Sequence, residues 1–369
     1  MKKILVSLIL CMCFLLNGCF NYTDINRVLF STSIIIDIDE DNNPIVYVET
    51  FKPYRSARSG SEKGERIVYK GKGKTIFEAI RTIGLSTSYK INATQNKALI
   101  FTEKAAAYGI HDFIDLIGRD QEFILRQYVA VYRGDVERLL SAHIKSEEYI
   151  GIFITDLIDN IGTSSRAIKL TINDYFNERL KPGRTTVITL LEMSKDQLEE
   201  LLIINGGAIM KYDKLVADIP LHESQGYNFL INRVKTGTLE IPYSDEENKY
   251  VTLEIKNSNT KTNMEYDGEN LKLIKTINVR TTVGETQSKL NFTPENLENI
   301  SRGAEDNIIR ATKDVFETYK NNNLDIFNLE RDFKIRYPHA NSENILEKTT
   351  LDVNVKVVIE GSSTRQGFH

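Results

Sequence analysis

The residues Leu16-Asn17-Gly18-Cys19 constrain this chain more than any others, because they mark where a secretory leader ends and a lipid anchor begins. Lys2 and Lys3 form a positive n-region, and Ile4 to Leu16 form an apolar stretch too short for a permanent membrane-spanning helix. The small residue Gly18 stands directly before the cysteine. The pattern is a lipobox. It predicts a diacylglyceryl thioether on the Cys19 sulfur, cleavage between Gly18 and Cys19, loss of residues 1–18 as a signal peptide, and a freed Cys19 amino group open to N-acylation. Two acyl chains hold a protein on a bilayer where one binds only marginally, since each buried methylene contributes about 0.8 kcal/mol. The mature chain is therefore expected to fold outside the bilayer, fixed to membrane lipid by its first residue.

The anchor also removes chemistry. Cys11 and Cys13 leave with the leader and Cys19 is acylated, so no disulfide framework is available and no free thiol remains. The length is enough to build cores without covalent staples. Loss of Lys2 and Lys3 takes the formal net charge from −4 to −6, because residues 1–18 hold no acidic side chain. Charge is intermixed along the chain, which argues against a nucleic-acid partner and against a polybasic patch assisting the anchor. The richness in Lys, Ile and Asn, together with the lipobox, suits a Gram-positive-type secreted lipoprotein.

Hydrophobic patterning divides the mature chain in two. Phe20 to Ser33 reads as a tether, whose first seven residues reach no more than about 25 Å. Ile34–Ile38, Pro44–Phe51 and Arg66–Lys70 read as strands, with a Ser/Gly/Arg/Lys-rich loop at Ser56–Glu65. Thr75-Ile76-Phe77-Glu78 is a capping box opening a helix. Lys97–Phe101 and Arg126–Tyr132 are further strands. Glu103–Ile117, Glu147–Ile161, Thr171–Leu180 and Ser194–Ile203 are expected to be helices, and Gly206-Gly207 to punctuate the chain.

The second half has a different rhythm. Leu271, Leu273, Ile277 and Val279 alternate, as do Leu351, Val353, Val355, Val357 and Ile359, which predicts two long strands with one apolar face each. Between them Thr293 is placed to cap a helix with Pro294 at its first position. Leu297, Ile300, Ala304, Ile308, Ala311, Val315 and Tyr319 then repeat at three and four. The expected fold class is α+β: a mixed α/β N-terminal region over 34–203, of one or two subdomains, and a C-terminal domain over 205–367. In the latter a largely antiparallel sheet packs against one long helix.

Enzymatic machinery is not legible. His111, His143, His222, His339 and His369 are scattered without metal-ligand spacing, so neither a metal nor a cofactor is expected and no catalytic residue is assigned. Lys70-Gly71-Lys72-Gly73-Lys74-Thr75 ends like a phosphate-binding loop. The glycine required five residues before Gly73 is Val68, so a strand-to-helix turn is the better reading.

Several segments in order resemble the Ger(x)C family, the lipoprotein C subunits of bacterial spore germinant receptors. After the lipobox, Phe20-Asn21-Tyr22-Thr23-Asp24-Ile25-Asn26 is similar to the family's opening. Gly73-Lys74-Thr75-Ile76-Phe77-Glu78-Ala79-Ile80-Arg81 is similar to its first helix, Asn96-Lys97-Ala98-Leu99-Ile100 to the next strand, and Gly118-Arg119-Asp120 to an Arg-Asp turn. Gly206 to Val216 with Glu223 to Leu230 resembles the start of the family's C-terminal region, and Asp325-Ile326-Phe327 and Tyr337-Pro338 its later marks. Asn328-Leu329-Glu330 departs from the family's Gly-Phe-Gly continuation. The resemblance implies a non-enzymatic subunit on the outer face of the spore's inner membrane, partnered by two multi-pass membrane subunits in nutrient-triggered germination. The main rival is a solute-binding lipoprotein of an import system, which should show two βαβ lobes closing on a cleft. A lipid-anchored hydrolase is the other, and it needs a convergent catalytic set.

Overall fold

The computed structural model describes residues 27–52, 66–142, 146–160, 164–194, 200–242, 249–287 and 293–362. The leader, Gly18, Cys19 and the loop at Ser56–Glu65 lie outside these residues.

The first strand, β1 (Val28–Ile38), is buried along almost its whole length, as a strand covered on both faces must be. It starts earlier than the tether reading allowed. Val28 to Ser33 belong to the sheet, and what hid the strand's start is the polar run Ser31-Thr32-Ser33. Ser31, Thr32 and Ser33 are buried hydroxyls whose partners arrive from elsewhere: Ser31 Oγ donates to Asn96 Oδ1 at 3.2 Å, and Ser33 Oγ donates to Glu49 Oε2 at 3.1 Å. A buried hydroxyl with a partner is tolerated where an orphan is not. β2 (Pro44–Phe51) runs antiparallel to β1, and β3 (Arg66–Lys72) antiparallel to β2. β4 (Lys90–Asn92), β5 (Ala98–Thr102), β6 (Tyr128–Arg133) and β7 (Thr185–Met193) add parallel strands. β8 (Leu202–Lys211) and β9 (Lys214–Ile219) close the sheet antiparallel. Its order is β3-β2-β1-β5-β6-β7-β8-β9, with β4 paired to β1.

The crossovers supply the helices that cover both faces, as parallel strands require. α1 (Ile76–Ile83), α2 (Glu103–Tyr108), α3 (His111–Arg119) and α6 (Ile172–Arg179) pack on one face, with Phe101, Val131 and Ile188 beneath them. α4 (Val136–Ser141) and α5 (Ile150–Asn160) cover the other. Thr75 caps α1 as expected, accepting from Glu78 N at 3.2 Å, but Glu78 reaches back to Lys74 N rather than to Thr75. Thr171 and Asp174 form a complete capping box on α6.

Three expectations change. The helix over Glu103–Ile117 is broken at Gly109, whose φ of 128° frees Ile110 N to donate to Asp213 O at 2.8 Å. The expected helix over Ser194–Ile203 is replaced at its end by β8, and Ser194 N donates to Leu201 O across a hairpin from β7; residues 195–199 lie outside the description. Gly206-Gly207 sits inside β8, where Gly206 (φ 92°) takes the extra-residue position of a bulge; a Cβ there would stand 2.0 Å from Ile219 O. The expected division between 203 and 205 thus falls inside a strand, and the nine-stranded sheet ends at Ile219.

The C-terminal elements form the expected second layer pair. β10 (Gly237–Pro242), β11 (Tyr250–Tyr266), β12 (Leu271–Thr286) and β13 (Thr349–Ser362) lie side by side in chain order. The first two pairings are antiparallel and β12–β13 is parallel. That crossover is made by α8 (Pro294–Asn321), capped by Thr293 as the sequence indicates, and by α9 (Leu329–Arg336). Ile300, Ala304 and Ile308 of α8 pack on Leu253, Ile277, Val279 and Val357. A third helix, α7 (Ser224–Leu230), joins the two sheets. Around it Ile168, Val187, Ile209 and Ile219 of the first layer share one core with Tyr227, Phe316, Leu329 and Phe333 of the second.

Candidate functional site

Gly18 and Cys19, where the sequence places the lipid anchor, lie outside the described residues. Eight residues, 20–27, stand between Cys19 and Val28, so the two can lie no more than about 30 Å apart. Among the described residues no helix is long and apolar enough to cross a membrane.

The ionisable groups gather in clusters whose bonds are internal. The first centres on Asp213, in the two-residue β8–β9 turn, with its side chain 2 % exposed. Its carboxylate accepts from Tyr175 Oη at 2.8 Å and Arg179 Nε at 3.2 Å, with Arg184 Nη2 at 3.4 Å. Burial pushes this carboxyl up, and the bonds from Arg179 and Tyr175 outweigh that, leaving it below the usual carboxylate range. Burial, with Asp213 alongside, pushes the Tyr175 phenol up. His111, expected to stand alone, joins this group: its Nδ1 accepts from Arg179 Nη2 at 2.6 Å and lies 3.3 Å from Asp213 Oδ2. The arrangement ties α3, α6, β7 and β8 together and leaves the carboxylate no free lone pair for a reaction.

Glu49 is the second. Its carboxylate accepts from Ile150 N at 2.9 Å and Gly151 N at 3.1 Å at the start of α5, and pairs with Arg66 Nε at 2.6 Å. This is an anion at a helix N-terminus, doing the work of a cap. The third is Lys275, 5 % exposed, whose Nζ donates to Leu230 O and Thr262 Oγ1, both at 2.9 Å. Burial pushes its pKa down to about 8. Asp325, raised by burial, accepts from the amides of Phe327, Leu329 and Glu330 and so opens α9.

Of the remaining histidines, His222 lies 3.8 Å from Glu223, His339 is exposed, and His143 and His369 lie outside the description. No group of three or more His, Cys, Asp or Glu that could hold a metal occurs among the described residues.

One open feature is not explained by internal bonding. A cleft of about 440 Å³ lies between residues 164–171, ahead of α6, and the turn from α7 into β10. Lys169 lines one wall, Arg233 and Lys235 the other, with Leu170 and Tyr128 behind them. The sequence reading missed this set because the walls are some sixty residues apart in the chain. The available signal was local alternation, since Lys169 sits between buried Ile168 and Leu170, and Arg233 and Lys235 flank buried Val234.

Two family models match consecutive parts of the chain: the spore germination protein N-terminal domain over residues 21–193, and the spore germination B3/GerAC-like C-terminal domain over 205–363. Among curated proteins, the spore germination protein GerQC of Bacillus cereus is 23% identical over 210 residues, covering 57% of this chain and 57% of its own. The putative spore germination protein YfkR of Bacillus subtilis is 26% identical over 227 residues, 58% of each. The chain thus aligns with little more than half the length of these relatives. The crystal structure of the GerBC protein superposes with a TM-score of 0.58 at 17% identity, covering 89% of this chain and 96% of that one, so the two share a fold. With both of its characteristic domains present in order on this fold, the chain belongs to the Ger(x)C family of spore germination proteins.

Proposed function

We propose that this protein is the lipid-anchored C subunit of a nutrient germinant receptor, held by a diacylglyceryl group on Cys19 to the outer face of the spore's inner membrane. There it works with two multi-pass membrane subunits, by binding rather than by turnover. The observation that carries the reading is the order of parts: the lipobox at Leu16 to Cys19, then the two germination domains over 21–193 and 205–363. The non-enzymatic part is supported by the charged clusters, because Asp213, Glu49 and Lys275 spend their hydrogen-bonding capacity on the fold. An import-system binding protein is the weaker reading, since the chain builds one nine-stranded sheet and one four-stranded sheet instead of two βαβ lobes.

Cys19→Ala is expected to leave an uncleaved or released protein in the aqueous phase of a detergent partition, and spores carrying it should respond poorly to nutrient. Deleting the gene should abolish the response to one class of nutrient while germination by a receptor-independent trigger persists. A full nutrient response in the deletion strain, with no paralogue present, rules out the receptor role. Full membrane retention of Cys19→Ala rules out the anchor.

A further inference from the structure

We propose that the cleft between residues 164–171 and 231–237 binds a small organic anion, a carboxylate or phosphate on an apolar body, with Arg233, Lys169 and Lys235 as its charge partners. The site is built rather than incidental. Asn228, 2 % exposed, donates from Nδ2 to Ser165 O and Ala167 O, both at 2.9 Å, and so clamps one wall to α7. The other wall is a fixed turn. Asn232 holds a left-handed φ of 60°, its Oδ1 accepts from Thr260 N at 2.9 Å, and Arg233 N donates to Asn228 O at 2.8 Å. Gly237 closes that turn against Ser165, where a Cβ would come within 2.7 Å.

Arg233 Nη1 donates to Lys169 O at 3.1 Å, which spans the cleft and leaves Nε and Nη2 of the guanidinium for a ligand. Arg138, Arg280 and Lys72 elsewhere on the surface are each matched to a carboxylate. Lys169, Arg233 and Lys235 have no such partner among the described residues. The carboxylate that lines the cleft, Asp174, accepts from Thr171 Oγ1 at 2.8 Å and keeps its charge, so the cleft holds three cations against one anion. Like charges held in one cleft raise its energy, and an anion removes that cost. The guanidinium fork suits a carboxylate or phosphate, and Leu170 with the Tyr128 ring offers an apolar backing. A volume of about 440 Å³ lies in the range of small-ligand sites, which favour junctions between layers. Nothing in this proposal depends on the germination role.

The test is calorimetric titration of the full mature lipoprotein in neutral detergent micelles with phenylphosphate and with benzoate. Saturable binding of at least one is expected, weakened about tenfold by Arg233→Gln or Lys235→Gln and unchanged by Lys97→Gln outside the cleft. Lys235→Gln leaves the Arg233–Lys169 bond intact, so it reads the contact even if Arg233→Gln disturbs the fold. Absence of saturable binding to both probes overturns the site, as does binding that Lys235→Gln leaves unchanged. A parallel arm measures capture by phosphatidylglycerol against phosphatidylcholine vesicles. Capture lost in Lys235→Gln, without binding of either free anion, assigns these cations to the membrane surface and also overturns it.

Discussion

Asp213 shows how much one side chain can hold in this fold. Tyr212 and Asp213 both have positive φ, 52° and 64°, which is the backbone that a two-residue hairpin with native strand twist demands. That turn aims the carboxylate inward at Tyr175, Arg179 and Arg184, so a local turn fixes a long-range junction. Asp213→Asn keeps the shape but leaves Arg179 half-buried without its counter-charge, and is expected to cost about 2–4 kcal/mol in urea unfolding. Because the native carboxyl titrates lower than in the unfolded chain, its contribution is complete above the unfolded value near pH 4. It is lost as pH falls through the native one. The wild-type advantage over Asp213→Asn should therefore shrink on acidification below about pH 4. A mutant equal to wild type at pH 7 shows that the cluster adds nothing. At the same scale, Asn328 explains the departure from the family's glycine-rich turn: it adopts φ 59°, and asparagine tolerates the left-handed region better than other side chains.

Among elements, β1 and α5 meet backbone to backbone. A Cβ on Gly151 would stand 1.9 Å from Thr32 O, backbone against backbone, with Glu49 bonded to the amide of the same residue. Gly151→Ala is expected to cost at least about 3 kcal/mol and to detach α5, whereas Gly268→Ala, in a turn with nothing within 4 Å, should cost about 1 kcal/mol for its φ of 105° alone. Thermal melts of the two variants compare them directly, and equal melting temperatures remove the proposed packing limit. Elements with a single strong periodicity were legible from sequence: the Thr293-capped α8, β12 with its alternating burial, and β13. What failed were positions where partners override local pattern. The polar start of β1 is rescued by Glu49 and Asn96, and the Ser194–Ile203 pattern yields to pairing of β8 with β7. Asp213, His111 and the cations of the cleft were visible only as isolated residues, since sequence spacing carries no information about which loops meet.

On the scale of the whole molecule, the two sheets are joined by a common core and not by a linker. A cut at residue 205 falls within β8, separates its Gly207–Lys211 half from β7, and strips Ile168 and Val187 from the cluster around Tyr227 and Phe316. Residues 19–204 and 205–369 expressed apart are expected to show no cooperative melt by circular dichroism and to recover one when co-expressed. A cooperative melt of 205–369 alone would establish a self-sufficient C-terminal domain. β1 gives the molecule a mechanical character as well. It is the first strand among the described residues, yet it sits in the interior of the sheet, bonded to β2 on one side and to β4 and β5 on the other. A pull applied at Val28 along the strand axis would make both ladders slide together before either opened. Were the proposed anchor to transmit traction along that axis, it would load the sheet in shear, the direction in which hydrogen-bonded strands resist best.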